Sequence, residues 1–316
     1  MQAPSILFMG TPDFAVPSLK ILIGNGAPLT GVVTQPDRPS GRGRRLTPPP
    51  VKVLAEASSL PLFQPERIRD ESFLKIFRDL APALVVVVAF GQILPMEMIT
   101  RPHYGCINVH PSLLPKYRGA APIQWSLIRG ETMTGMTIMQ MDEGVDSGDI
   151  LLQEAVPIAP GDNFGSLHDR LAVLGAEMLL KTIGMIADGS IRPVKQDHSR
   201  ATLAPRIKRE DGLIDWSKGV REILSLIRGL SPNPGAYTFL DGKKLRVYAA
   251  RGEASASGSS PGTVLRVGKD GNPAIAAADG LVYPEEIQME NRKRMSMADF
   301  LRGYRVTPET ILGPLA

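Results

Sequence analysis

The chain has 316 residues, 43% hydrophobic and 22% charged, which excludes a disordered chain and is enough for two globular cores. A single cysteine, Cys106, excludes an internal disulfide framework and a cysteine zinc cluster. The net charge of +4 is uneven: residues 191–316 hold 20 basic and 14 acidic side chains, while the first 190 hold 16 and 18. A basic C-terminal third suits a polyanion such as nucleic acid, although scattered surface charge would give the same count.

Residues 5–9 (SILFM) read as a buried strand, followed by a turn and a helix that starts at 11–13 and runs to about residue 23. Residues 29–34 read as a second strand, and 51–59 and 71–80 as helices. The unbroken Val-rich run 83–89 marks a strand covered on both faces. Residues 106–110 are a fourth strand, 121–129 a helix, 136–141 and 150–158 strands, and 164–187 a long amphipathic helix. This alternation predicts an α/β fold over residues 1–189, a Rossmann-like, mostly parallel sheet with helices on both faces. Residues 190–205 are polar and rich in Pro, Arg and Ser, which suits a linker. Residues 206–316 form a second domain with a helix at 220–228 and short strands at 236–240, 245–249, 263–267 and 274–278. Asp241-Gly242, Asp270-Gly271 and Asp279-Gly280 are turn dipeptides between them, so a small β-barrel is expected.

Membrane and export signals are missing from this reading. The longest uncharged apolar run, 83–90, is far short of the roughly twenty residues of a membrane span. The first ten residues have neither a basic n-region nor a long apolar core, so a cytoplasmic location is expected. No feature calls for an obligate protein partner.

The usual cofactor fingerprints fail. After Gly41 and Gly43 the last position of a G-x-G-x-x-G pattern is Leu46, and there is no phosphate-binding P-loop and no H-E-x-x-H. His103, His110, His168 and His198 are too dispersed to suggest a metal site. The informative stretch is residues 107–115. Period two puts Asn108 and His110 on one face at a strand's C-terminal end, where open α/β sheets place ligands. An amide beside an imidazole can stabilise a developing oxyanion and move a proton. The loop 141–149, with two glycines and four acids, can hold a carboxylate close to that imidazole. Residues 35–50 place Arg38, Arg42, Arg44 and Arg45 among five prolines and two glycines, a stretch not expected to form regular structure. Four guanidiniums there suit phosphates and exposed bases at an RNA end. Further basic clusters lie at Arg206-Ile207-Lys208-Arg209, Lys243-Lys244-Leu245-Arg246 and Arg292-Lys293-Arg294.

Several of these stretches together resemble the methionyl-tRNA formyltransferases, a branch of the 10-formyltetrahydrofolate-dependent formyltransferases. They are Phe8-Met9-Gly10-Thr11-Pro12-Asp13-Phe14-Ala15, Thr34-Gln35-Pro36-Asp37-Arg38-Pro39 and Asn108-Val109-His110-Pro111-Ser112-Leu113-Leu114-Pro115. Tyr117-Arg118-Gly119-Ala120-Ala121-Pro122, Met141-Asp142, Asp146-Ser147-Gly148-Asp149, Ile214-Asp215-Trp216 and Ile227-Arg228-Gly229 extend the likeness over nearly the whole chain. The resemblance implies transfer of a formyl group from 10-formyltetrahydrofolate, a co-substrate, to the amine of methionine on initiator tRNA, for translation initiation and without a metal. It implies Asn108, His110 and Asp146 as the catalytic set and Ser112, Leu113, Leu114 and Pro115 as the folate-binding segment. The apolar exit 90–94 is a weaker candidate wall for the same pocket. By the same likeness, Arg38, Arg42, Arg44 and Arg45 would meet the tRNA acceptor stem, Arg42 foremost, and the second domain would be OB-like and hold the tRNA. The alternatives are a 10-formyltetrahydrofolate hydrolase, a small-amine formyltransferase, or an RNA-binding protein with a vestigial pocket.

Overall fold

The computed structural model describes residues 3–40, 45–255, 258–267 and 272–313. Contact density divides the chain into two compact units. One comprises Met1–Gly119, Thr134–Val156 and His168–Leu203, and the other Ala120–Met133, Pro157–Leu167 and Ala204–Ala316. No helix among the described residues is long and apolar enough to cross a membrane.

The first unit contains strands β1 (Ile6–Gly10), β2 (Leu29–Val33), β3 (Arg38–Ser40), β4 (Arg45–Thr47), β5 (Leu62–Phe63), β6 (Leu84–Val88) and β7 (Cys106–His110). Two longer strands follow, β8 (Met133–Gln140) and β9 (Ile150–Pro157). Its seven-stranded sheet has the order β5-β2-β1-β6-β7-β8-β9. The pairs from β5 to β7 are parallel, and β8 runs antiparallel to β7. Every residue of β1 and β6 is buried, which is why the Val-rich run shows no alternation. Helices α1 (Val16–Gly24), α2 (Pro50–Ala57), α3 (Glu71–Leu80) and α4 (Met96–Thr100) connect these strands. On α3, Phe73 and Phe77 are four residues apart and both point into a core with Leu7, Met9, Val85 and Phe90. The sequence pattern thus produces a Rossmann-like sheet. The C-terminal ends of β6 and β7 mark its functional edge.

The second unit holds α5 (Pro122–Ile128), α7 (Val220–Leu230), α8 (Met297–Leu301) and an antiparallel half-barrel sheet. Between α5 and α7 in the chain comes α6 (Phe164–Ala187), which starts in this unit and continues in the first. The sheet is built from β10 (Ala236–Leu240), β11 (Lys243–Ala254), β12 (Val264–Val267), β13 (Pro273–Ala276), β14 (Gly280–Met289) and β15 (Met295–Ser296). The order is β10-β11-β14-β13-β12, with β15 on β14. Ile214, Trp216, Ile223, Ile227 and Val247 are part of its core. Trp216 also donates through Nε1 to Thr238 Oγ1 at 3.1 Å, so it is a packing residue.

Four features differ from the sequence-based expectation. The stretch 35–50 is partly regular, because β3 and β4 pair as a hairpin with Arg38 opposite Thr47 and Ser40 opposite Arg45. The central strand β14 is absent from the expected set. Pro284 and the pair Glu285-Glu286 interrupt its apolar pattern, and Pro284 sits opposite Ala250, next to a register shift at which Glu285 is the extra residue. The segment 190–205 is not a bare linker: Val194 and Ile150 exchange two backbone hydrogen bonds of 2.8 Å, and Arg118 bridges to Leu203. Nor does one cut near residue 189 separate the units, since α5 packs on α7. Gly229 permits that approach: a Cβ there would come within 2.6 Å of Ile128 Cγ1 and 3.1 Å of the Gln124 carbonyl.

Candidate active site

Asn108 and His110 stand two residues apart at the C-terminal end of β7. Asn108 is paired with Val87 of β6 and Met139 of β8, and His110 with Thr137, so the backbone beneath both side chains is fixed. The loop between β8 and β9 brings Asp146 to the same place. Asn108 Nδ2 lies 3.4 Å from Asp146 Oδ1, and His110 Nδ1 lies 3.6 Å from Asp146 Oδ2. The Gly119 N–H donates to Asp146 Oδ2 at 2.8 Å. On the other side of the imidazole, Nε2 is 3.0 Å from the Tyr117 carbonyl. A carbonyl and a carboxylate can only accept, so a ring carrying both protons makes both contacts attractive. The Asn108 and His110 separations from Asp146 are long for hydrogen bonds. Both donors therefore keep the capacity to turn toward an oxygen beside the carboxylate. The His110 side chain is only 4% exposed and that of Asp146 17%, and exclusion of water strengthens each of these interactions.

The loop has its own scaffold. The Asp142 carboxylate accepts from the Gly144 N–H at 3.0 Å and from the Ser147 hydroxyl at 2.8 and 3.0 Å. Asp146 occupies the left-handed region at φ 47°, which Asp tolerates better than most residues. Gly148 passes so close to β8 that a Cβ would lie 1.9 Å from the Gln140 carbonyl oxygen, so no other residue fits this path. Cys106, on the same strand as His110, is buried, and burial pushes its thiol up, so it offers no thiolate.

The segment Ser112, Leu113, Leu114 and Pro115 leaves β7 just after His110, but its carbonyls and the Ser112 hydroxyl are engaged internally. Thr137 Oγ1 donates to the Ser112 carbonyl at 2.7 Å, and Gln153 Nε2 donates to the Leu114 carbonyl at 3.0 Å. The Leu113 carbonyl receives the Lys116 N–H at 3.1 Å, the Pro115 carbonyl receives that of Thr202 at 3.3 Å, and the Ser112 hydroxyl donates to the Lys116 carbonyl at 2.7 Å. A cleft of about 580 Å³ is lined by residues 92–96 and 141–146 together with Arg69, Ile99 and Met139. The apolar exit after β6 therefore walls a cleft that Asp146 also lines. Its size and its mostly apolar walls suit a flat heterocycle with an aryl tail, and exposed Ile93 and Val145 stand at its margin. Arg69, Met139 and Val145 carry no local sequence signal for this role, because they meet only through the fold.

The arginine-rich hairpin is fastened at its root. Lys52 Nζ bonds both Asp37 carboxylate oxygens at 2.9 and 2.8 Å, and Gln64 Nε2 donates to Asp37 Oδ1 at 2.9 Å and to the Gln35 carbonyl at 3.0 Å. These bonds hold the Asp37 carboxyl below its ordinary value, that from Gln64 first and that from Lys52 second. Arg38 is exposed and pairs with Glu66 at 3.2 Å. Arg45 belongs to β4 by its backbone, while Arg42 and Arg44 lie outside the described residues. In the second unit, Lys243, Arg292 and Tyr304 line a polar cleft of about 700 Å³ with Met289, Glu290 and Asn291.

Residues 5–183 match the formyl transferase family, and residues 206–305 match the formyl transferase C-terminal domain. The methionyl-tRNA formyltransferase of Syntrophus aciditrophicus is 54% identical over 99% of this chain and 100% of its own length. Among solved structures, an N-formyltransferase from Helicobacter canadensis in complex with folinic acid and dTDP-3-aminofucose superposes with TM-score 0.65 at 17% identity, covering 91% of this chain and 100% of that one. The methionyl-tRNA formyltransferase from Clostridium thermocellum gives TM-score 0.55 at 17% identity over 80% and 95% of the two chains. Both structures share the fold. The full-length likeness and the two matched domains make this chain a member of the formyltransferase family, in its methionyl-tRNA formyltransferase branch.

Proposed function

We propose that this enzyme transfers the formyl group of 10-formyltetrahydrofolate to the free amine of methionine esterified to initiator tRNA, in the cytoplasm, for translation initiation. The observation that carries the reading is that Asp146 both lines the 580 Å³ cleft and touches Asn108 and His110. A formyl donor in that cleft would present its carbonyl to the amide and the imidazole.

Attack of an amine on a formyl carbon puts negative charge on the formyl oxygen and leaves a proton to be removed from nitrogen. Asn108 Nδ2 and the His110 Nδ1–H are donors for that oxygen, and such donors act most strongly where water is excluded. Asp146 balances the imidazolium charge, orients the ring and stands within reach of the amine proton, directly or through a water. Collapse of the tetrahedral adduct breaks the bond between the formyl carbon and N10 of the folate, which takes up that proton and leaves as tetrahydrofolate. The 92–96 and 141–146 walls hold the folate, and residues 112–115 act by fixing the exit of β7 through Thr137 and Gln153. Arg38, Arg42, Arg44 and Arg45 supply guanidiniums for the acceptor end of the tRNA, and the basic clusters of the second unit supply further phosphate contacts.

The test is an acceptor comparison with 10-formyltetrahydrofolate as donor. Methionyl initiator tRNA, glycinamide ribonucleotide and water are offered in parallel, with product followed by mass. Formylation of the charged tRNA alone is expected. Turnover with water would make the protein a hydrolase, turnover with the small amine would move it to that class, and tRNA binding without turnover would leave it a binding protein.

A further inference from the structure

The geometry points to Gln196 as a positioning residue for Asp146, acting with Arg118 as a brace behind the catalytic loop; this rests on Asp146 serving formyl transfer. Gln196 is 5% exposed. Its Nε2 donates to the carbonyls of Asp146 at 2.9 Å and Gly148 at 2.7 Å. Its Oε1 accepts from Arg118 Nε at 3.2 Å and Nη2 at 2.6 Å. Both amide protons and both lone pairs are engaged. The reverse orientation of the amide would set its oxygen against two carbonyls and its NH2 against a guanidinium, so only one orientation is consistent.

What Gln196 holds is specific. The two carbonyls belong to the peptide units 146–147 and 148–149, so the amide pins the chain directly after Asp146 and again two residues later. Asp146 sits there at φ 47°, a conformation that its own side chain does not impose. Fixing those units fixes the direction in which the Asp146 carboxylate leaves the backbone, toward His110 and Asn108. Arg118 polarises the amide, which makes its N–H groups better donors.

The far side of the brace is equally committed. Arg118 is 9% exposed, and its Nη2 also lies 3.0 Å from His198 Nδ1. A guanidinium only donates, so Nδ1 accepts there. The Arg118 N–H donates to the Thr202 carbonyl at 2.8 Å, and the Tyr117 N–H donates to Thr202 Oγ1 at 2.9 Å. Tyr117 and Gly119, on either side of Arg118, are the residues whose backbones meet the His110 ring and the Asp146 carboxylate. One turn, 117–119, therefore addresses the imidazole, the carboxylate and, through Arg118 and Gln196, the loop that carries the carboxylate. The stretch 194–203 is the part of the chain that completes the brace, and neither Gln196 nor Arg118 makes a hydrogen bond to Asn108 or His110 in doing so.

Gln196→Glu separates the brace from mere packing. It keeps the size of the side chain and a partner for Arg118, but it turns an oxygen toward two carbonyls. In single-turnover formyl transfer to methionyl-tRNA, the rate should fall roughly 10- to 100-fold, the scale expected when a catalytic group is displaced by about an ångström. The KM for the tRNA and the melting temperature should stay close to wild type. Hydrogen exchange at the amides of 142–149 should accelerate. Arg118→Lys, which keeps a cation and loses the fork, should move both readouts in the same direction by less. Wild-type rate and wild-type protection in Gln196→Glu would overturn the brace. If that protein does not fold, a folded Arg118→Lys protein with both readouts unchanged overturns it equally. A wild-type protein that formylates no methionyl-tRNA would sink the functional reading instead, and the exchange comparison would still decide the brace.

Discussion

The loop 141–149 and the hairpin of β3 and β4 both belong to the first unit, and they are held in different ways. The loop is tied at several points along its length: Asp142 holds Gly144 and Ser147, Gly119 holds the Asp146 carboxylate, and Gln196 holds two carbonyls. The described strands of the hairpin pair with each other, Arg38 reaches Glu66 at the surface, and Lys52 and Gln64 fasten the root through Asp37. Bond-making needs donors fixed to a fraction of an ångström, whereas a flexible polyanion can be met by charges that need only the right place and reach. The difference predicts that changes in the first region act on kcat and changes in the second on KM.

The largest effect should come from the site itself. Asn108→Ala, His110→Ala and Asp146→Ala should each lower kcat by roughly 100-fold or more with folate binding retained. The three losses should not add, because the groups act as one unit. Near wild-type turnover in any of them would remove that residue from the mechanism.

The hairpin should behave in the opposite way. Arg42→Ala should raise the KM for methionyl-tRNA by roughly 10-fold, the scale of one lost guanidinium contact to nucleic acid, with kcat and folate affinity unchanged. Arg42→Lys should rescue only part of this, since a point charge lacks the bidentate fork. A Lys variant equal to wild type would reduce the role of Arg42 to charge alone.

What could be read from sequence follows the same divide between local and distant. The Val-rich run became the buried strand β6, and the alternation at Asn108 and His110 became one face of β7, because both signals reside in consecutive residues. The helix expected at 164–187 is α6, Phe164–Ala187. Gln196 was illegible. It lies in the polar run Lys195-Gln196-Asp197-His198, which reads as surface, and its partners are 50 and 78 positions away. Strand β14 was hidden by Pro284, whose place in the sheet comes with a bulge at Glu285 that only the pairing with β11 reveals. The hairpin was masked by its own prolines and glycines, which local rules assign to irregular chain.

A finer test asks whether the root of the hairpin matters. Asp37→Asn removes the ion pair with Lys52 and should raise the KM for tRNA several-fold, less than Arg42→Ala, with kcat unchanged. The sign of its pH dependence follows from the carboxyl being held below 3.8 by Gln64 and Lys52. Its stabilising contribution is fully present above the unfolded value and is lost as pH falls through the lower folded one. The melting temperatures of wild type and Asp37→Asn should therefore differ by a constant amount above about pH 5 and converge below 3.8. A gap that persists at the lowest pH would mean that the carboxylate charge is not what anchors the hairpin.

The smallest effects separate basic residues of the second unit from one another. Arg294 is already committed: its Nε and Nη2 each lie 2.6 Å from Glu286, and its guanidinium lies 4.2 Å over the Tyr248 ring. To reach a phosphate it would have to give up both. Lys243 and Arg292 instead line the polar cleft beside Tyr304. If they meet tRNA phosphates, each substitution to Ala should flatten the slope of log affinity against log salt by roughly 0.7 to 0.9, measured on tRNA binding from about 50 to 200 mM salt. Arg294→Ala should leave that slope unchanged, because it removes an internal ion pair and no phosphate contact. Equal slopes in all three variants and wild type would assign the electrostatic work to the hairpin of the first unit and leave the second unit a structural part. A fall with Arg294 as large as that with Arg292 would mean that tRNA pulls Arg294 away from Glu286, and the second unit would then share the adaptable character of the hairpin.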